Sequence, residues 1–226
     1  MAKDIKSIKD KVYELIFQDI IRGEYPVNTI ISERMLIEKY QVSKSPIREA
    51  LVELCKENIL NSIPRLGYQV VQITPKELHD VLELRVVVEL AAFRKTKAWI
   101  NDDVINKLEQ HINQTIEMID QHDIIEHWKR NMDFHLLLCS YSNNQWMYNT
   151  LESILKFCSR GATQYYFDTW QNRENMGRAN AETHIKLLKA LKDKDYNLCE
   201  QILIKDVSSM KDNFMQSDYG KLGSDI

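Results

Sequence analysis

The residues of this chain best equipped for chemistry cluster between Ser32 and Leu51. Ser43, Lys44, Ser45 and Arg48 follow a tight connection, Gln41-Val42-Ser43, and put small hydroxyls and long cations at the start of a helix. Ile47, Ala50, Leu51 and Leu54 recur at helical spacing and turn the opposite face inward. Hydroxyl, ammonium and guanidinium groups on the opening turns of a helix suit base edges in the major groove and the phosphates beside them. Arg34, at the start of the preceding helix, is placed for a phosphate or base contact. Arg65 sits at the tip of a later turn, where a cation reaches an adjacent groove or the backbone. Glu49 reads as a structural partner for a neighbouring cation rather than as a reader of bases. A second point of interest is Arg85, set among Val81, Leu82, Leu84, Val86, Val87 and Val88. An arginine in so apolar a helix must find a partner. A carboxylate of the protein, such as Glu89 one turn further on, is one such partner.

These side chains need elements to position them. Ile5 to Arg22 carries Ile8, Val12, Leu15, Ile16 and Ile20 at helical spacing and ends at Gly23. Ser32 is a natural N-cap for a short helix, Glu33–Tyr40, and Ser43 for a third helix with Pro46 in its first turn. Beyond Asn58 the period changes, and Ile59–Ile63 and Tyr68–Ile73 read as two short strands about Pro64-Arg65-Leu66-Gly67. Three helices and a small hairpin make a winged helix-turn-helix. Composition shifts at 73–76, so residues 1–74 are predicted to form a DNA-binding domain and 75–226 a second domain. Six helices are predicted there, at 75–99, 102–121, 123–141, 144–166, 174–192 and 195–217, with no strand signal. Short connections between long amphipathic helices imply an antiparallel all-helical bundle, so the fold class is mainly α. The aromatic run Tyr165-Tyr166-Phe167 with Trp170 reads as core or dimer packing.

Composition narrows the function classes. With 44% hydrophobic and 28% charged residues, and only 6 Gly and 4 Pro in 226, the chain is a folded, helix-rich protein. It has no apolar run of the roughly 18 residues a membrane span needs, and no signal-peptide pattern behind its lysine-rich start. A cytoplasmic protein is expected. Cys55, Cys139, Cys158 and Cys199 are widely spaced without a CxxC pair, as free thiols of a reducing compartment would be. The net charge of −3 hides an asymmetry: residues 1–76 hold 12 Lys/Arg against 10 Asp/Glu, whereas the remaining 150 hold 18 against 23. The excess of cations lies where the DNA-facing turn lies.

Ser32–Leu51 resembles the signature of the GntR family of bacterial regulators, close to E-R-x-L-a-x-x-x-g-V-S-r-x-P-V-R-E-A-L, and Pro64, Arg65, Gly67 and Val70 follow at the family's wing spacing. The resemblance implies DNA contact by Arg34, Ser43, Lys44, Ser45, Arg48, Arg65 and Gly67. It also exposes departures. Lys44 stands where the family usually has Arg, and three family glycines are replaced: Val27 after Pro26, Gln41 in the turn, and Asn58 after the recognition helix. Asn58 tolerates the left-handed conformation such a cap requires, and Asn28 can take over the turn lost at Val27. Nothing in the sequence explains Gln41.

Residues 75–217 resemble, more loosely, the FCD effector domain of the FadR-type branch, through Arg85 to Glu89 with Ala91-Ala92, Phe134-His135, Ser142 and Asn144, and His184 with Ala190 and Asp195. The family's metal set maps onto Asn131, His135, His184 and Asp206, where two positions keep His and two are changed. Asn131 and His135 are four apart and share a helix face. Two imidazoles, a carboxylate and an amide suit a divalent metal: zinc foremost, with manganese or nickel as alternatives. The resemblance further implies that Arg85, and with it Arg160, faces the effector. His79, His111, His122 and His127 match no ligand position and read as surface.

The resulting expectation is a homodimeric transcription regulator that binds a double-stranded, pseudo-palindromic operator and responds to a small carboxylate or sugar-acid effector. The alternative within the family is an FCD regulator without metal that takes a bulky acyl ligand. The rival class, a metal-dependent hydrolase or oxygenase, lacks a base or nucleophile beside the histidines and leaves the wing unexplained.

Overall fold

The structure, a computed structural model, describes residues 7–118, 124–171 and 176–216, with side chains at all of these except 124, 166–171, 176–179 and 211–216. It divides into two compact units, Met1–Ile73 and Thr74–Ile226.

In the first unit, helix α1 (Ile8–Ile21) begins where Ser7 and Asp10 form a reciprocal capping box. Helix α2 (Glu33–Tyr40) starts at Ser32, whose hydroxyl accepts from the Met35 N–H, and α3 spans Lys44–Lys56. Strands β2 (Leu60–Ile63) and β3 (Gly67–Val70) form the wing hairpin. A third strand, β1 (Ile30–Ile31), pairs antiparallel with β3, giving the order β1-β3-β2. Two residues are too short a run to show a period, so the sequence pattern did not reveal β1. Val12, Ile16, Ile20, Leu36, Ile47, Leu51, Leu54 and Leu60 make the shared core that fixes α3 against the other elements.

The replaced glycines now have physical accounts. Asn28 (φ 65°) and Asn58 (φ 53°) adopt left-handed conformations, as their side chains allow. Gln41 does so too (φ 54°), as the C-cap of α2, and its side-chain amide donates to the Glu38 carbonyl at 2.6 Å. That bond ties down one of the carbonyls the helix end leaves open and offsets the strain of a non-glycine in this region. Gly67 is different. It holds φ 134°, and a Cβ there would lie 2.5 Å from the Ile31 carbonyl oxygen across the β1–β3 pair. Gly67→Ala is therefore expected to destabilise the first unit by about 3 kcal/mol, read as a lower urea midpoint at unchanged slope.

The second unit is a bundle of α4 (Pro75–Thr96), α5 (Asp102–Glu117), α6 (Ile124–Ser140), α7 (Gln145–Gln171), α8 (Met176–Lys192) and α9 (Tyr196–Gln216). Thr74 and Glu77 form a capping box with Pro75 at the first position of α4, and Asn101 caps α5. Helix α7 runs five residues past the predicted 166, through a stretch with no Gly or Pro to stop it. Helix α4 packs against α6, α7 and α9, and α8 against α5 and α9. The side chains of Tyr166, Phe167 and Trp170 lie outside the described residues, whereas Tyr165 is buried.

Candidate nucleic-acid interface and metal centre

The N-terminus of α3 presents the predicted DNA-facing residues. Ser43, Lys44, Ser45 and Arg48 are exposed, while Ile47, Ala50, Leu51 and Leu54 are buried beneath them. Ser43 occupies the N-cap position but makes no side-chain capping bond, contrary to the role expected of it, so its hydroxyl is not committed to the helix end. Arg48 Nε lies 2.7 Å from Glu33 Oε1 and Lys44 Nζ 3.7 Å from Glu33 Oε2. Glu33, at the first position of α2, thus faces both cations of the opening turns of the recognition helix at once. In the sequence Glu33 is only the residue that opens the second helix; the helix-turn-helix geometry gives it this second task. Glu49 was expected to pair with a cation, but it accepts from the Ser45 hydroxyl at 2.8 Å. Arg34 pairs with Glu38 at 2.8 Å and its side chain is 88% exposed. Exposed pairs of this kind contribute about 0–1 kcal/mol, so phosphate oxygens can replace these carboxylates at little cost. Arg65 is exposed in the turn between β2 and β3 with φ 68°, a conformation uncommon for arginine.

In the second unit, four helices bring charged groups into one buried cluster. Arg85 and Glu89, one turn apart on α4, are 3% and 5% exposed and joined by Arg85 Nε to Glu89 Oε1 at 2.6 Å. The other oxygen of Glu89 lies 2.8 Å from His135 Nδ1 on α6. His135 Nε2 faces Asp206 Oδ2 of α9 at 3.1 Å and Arg85 Nη2 at 3.0 Å. His184 of α8 completes the group, its ring 5.3 Å from that of His135 and stacked at 3.7 Å on Phe134. One ligand atom each from His135, His184 and Asp206 lies within 4.8 Å of the others.

Burial and then the adjacent His135 push the His184 imidazole down to about 3, so it is neutral and able to ligate. Burial works most strongly against a charged His135, but the Glu89 and Asp206 carboxylates together outweigh it and the net shift is upward. Burial likewise opposes ionisation of Asp206 and Glu89, yet the neighbouring His135 and Arg85 hold both below the usual carboxylate range. His184 Nε2 and Asn131 Oδ1 are buried without a hydrogen-bond partner among the described residues. Buried acceptor-capable atoms of this kind call for a partner. A divalent cation in reach would satisfy them, and the donor set is one that such a cation accepts. The residues fit a metal.

Comparison with known proteins decides the family. Residues 80–208 match the FCD domain family, more than half of the chain, and residues 8–70 match the bacterial regulatory proteins of the gntR family. This chain is a GntR-family transcriptional regulator with an FCD domain. It is 22% identical over 209 residues to the HTH-type transcriptional repressor RspR of Escherichia coli (strain K12), covering 92% of this chain and 90% of that one. It is 27% identical over 183 residues to the gluconate operon transcriptional repressor of Bacillus licheniformis, covering 79% and 73%. Among solved structures, E. coli McbR/YncC superposes with a TM-score of 0.80 at 20% identity, covering 94% of this chain and 99% of the other, which shows the shared fold. The families and relatives are regulators, not enzymes.

Not every predicted residue of this FCD regulator falls where expected. Asn131 is buried on α6 one turn before His135, as the shared face requires. Arg160 is buried on α7, and its charge acts on Glu77 in the first turn of α4. His111 and His127 are not surface residues. His111 packs on the Phe134 ring at 6.0 Å with a buried, unpartnered Nδ1, and His127 is half-buried against Trp128, its pKa pushed down to about 4 by burial. Their helices turn apolar neighbours inward and carry these rings with them, which an isolated His in a sequence does not reveal. His79 stays part-exposed, 3.6 Å from Glu83, and His122 lies outside the described residues. No helix among the described residues is long and apolar enough to cross a membrane.

Proposed function

We propose that this chain is a cytoplasmic repressor that binds a two-fold symmetric DNA operator as a homodimer, and that a small carboxylate or sugar acid releases it through a metal-centred site in the FCD domain. The observation that carries the reading is the group His135, His184 and Asp206, with an unpartnered buried Nε2 on His184 itself. Those residues would hold the ion, and Glu89 fixes the His135 ring by accepting from Nδ1, which leaves Nε2 as the ligating atom. A bound divalent cation supplies a positive pole for one oxygen of an organic acid. Arg85 supplies N–H donors for the other.

The gluconate operon repressors among the relatives support a sugar acid as effector class. Leu84 and Val87, 46% and 63% exposed and three residues apart on α4, support a partner subunit on that face. The acyl-binding alternative draws no support from this cluster, because Arg85, Glu89, His135 and Asp206 offer paired charges and not an apolar surface. Metal analysis of the purified full chain tests the reading: about one equivalent per chain is expected, and below about 0.2 equivalents after exposure to zinc, manganese and nickel the metal reading fails.

On the DNA side, Ser43, Lys44, Ser45 and Arg48 enter the major groove, Arg34 contacts the backbone, and Arg65 lies at the wing tip with Gly67 keeping the strand close. Arg65→Ala is expected to weaken binding evenly across sequences and to flatten the salt dependence of log K by about one charge per subunit, hence about two per dimer. A change confined to one base preference would contradict that role.

A further inference from the structure

His135 Nε2 stands between two neighbours with opposite demands. Arg85 Nη2, at 3.0 Å, is a donor and needs a lone pair there; Asp206 Oδ2, at 3.1 Å, is an acceptor and needs a proton there. A neutral Nε2 suits Arg85 and opposes the aspartate, whereas an Nε2–H suits the aspartate and opposes the guanidinium. The Nδ1 side offers no escape, because Glu89 occupies it at 2.8 Å. A divalent cation between Nε2 and Oδ2 satisfies both of those atoms, provided that the guanidinium withdraws. Such a withdrawal would give up the 3.9 Å approach of Nη2 to Asp206 and would turn the planar guanidinium as a whole, with Glu89, 2.6 Å from Nε, as the carboxylate that keeps it paired.

We propose that Arg85 is a built-in plug of the metal position, occupying the ligating face of His135 until a cation displaces it, and that only then are its Nη groups released to clamp an effector carboxylate. The inference rests on the metal reading above and deepens it. Arg85 becomes the element through which metal loading makes the site ready for acid, rather than a fixed wall of the pocket. Because the guanidinium and the cation compete for one nitrogen, each weakens the hold of the other. The carboxylate that subsequently binds takes up the donor the cation has freed.

The test is the Zn²⁺ affinity of the full chain at about pH 8, above the ordinary imidazole pKa, measured by competition with a chromophoric chelator for the native protein, Arg85→Lys and Arg85→Met, with thermal melts as folding controls. Arg85→Lys keeps a cation for Glu89 but lacks the second N–H arm that reaches His135. Binding about tenfold tighter than native, equivalent to roughly 1.4 kcal/mol, is expected for Arg85→Lys. If Arg85→Lys binds Zn²⁺ like the native protein and only Arg85→Met is tighter, the effect is net charge and the plug is overturned. Equal affinity in all three proteins overturns it as well, leaving the metal reading intact. Native protein that takes up no Zn²⁺ beside an Arg85→Lys variant that does would sink metal sensing by the native chain and overturn the displaceable plug with it, leaving Arg85 as a permanent block. Failure of both to take up Zn²⁺ sinks both. Should Arg85→Met not fold, the comparison of Arg85→Lys with native protein decides alone.

Discussion

His184→Phe is expected to lower metal affinity by more than about 100-fold while leaving the helical unit folded. Loss of an outer partner of a metal ligand already costs about 10–100-fold, and loss of a ligand exceeds that. Phenylalanine is the informative replacement because His184 is buried and stacked on Phe134 at 3.7 Å, a contact another aromatic ring preserves. His184→Ala would add a cavity in the core, with a stability loss of roughly 2–4 kcal/mol that confuses the reading. The measurement is metal content after dialysis against a weak chelator, together with a thermal melt. Full metal retention in His184→Phe would remove His184 from the site and contradict the proposed donor set. The unpartnered Nε2 of His184 would then need another explanation.

Arg48→Ala is expected to cost about 1–3 kcal/mol of discrimination at one operator position, measured by fluorescence anisotropy against single-base variants. The companion Glu33→Gln separates reading from anchoring. Glu33 accepts from Arg48 at 2.7 Å and faces Lys44 at 3.7 Å, so neutralising it releases both cations and removes a negative charge from the groove-facing surface. Overall affinity should rise and discrimination should fall, a combination that simple loss of a contact does not produce. Unchanged sequence preference in Arg48→Ala would take Arg48 out of the reading set, whatever its effect on total affinity.

How much of this was legible in the sequence depends on how local the cause is. Helix α2 follows from Ser32 and a tight turn, and its observed limits, Glu33–Tyr40, are those the pattern marks. Asn28 and Asn58 announce left-handed turns because their side chains are the usual substitutes for glycine there. Gln41 does not, since what stabilises it is a bond to the Glu38 carbonyl that only the folded helix end presents. The pairing of Arg85 with Glu89 was readable as one turn of helix. That the same glutamate also reaches His135, and that Arg85 reaches the far side of that ring, depends on α4 lying against α6. Glu33 was missed for the same reason, because its partners come from a different helix. The metal set could be proposed from family resemblance alone; no spacing within one element links His135 on α6, His184 on α8 and Asp206 on α9.

The central claim is that metal and organic acid act together on DNA affinity, and one titration tests it most directly. Full-length protein would be bound to a two-fold symmetric operator selected from random-sequence DNA, and a sugar acid such as gluconate added to three samples: metal-loaded protein, chelator-stripped protein and metal-treated His184→Phe. The account predicts that the acid weakens operator binding only in the first, by about 5–150-fold, the ordinary range of coupling between sites. An equal response in the stripped protein and in His184→Phe would contradict it.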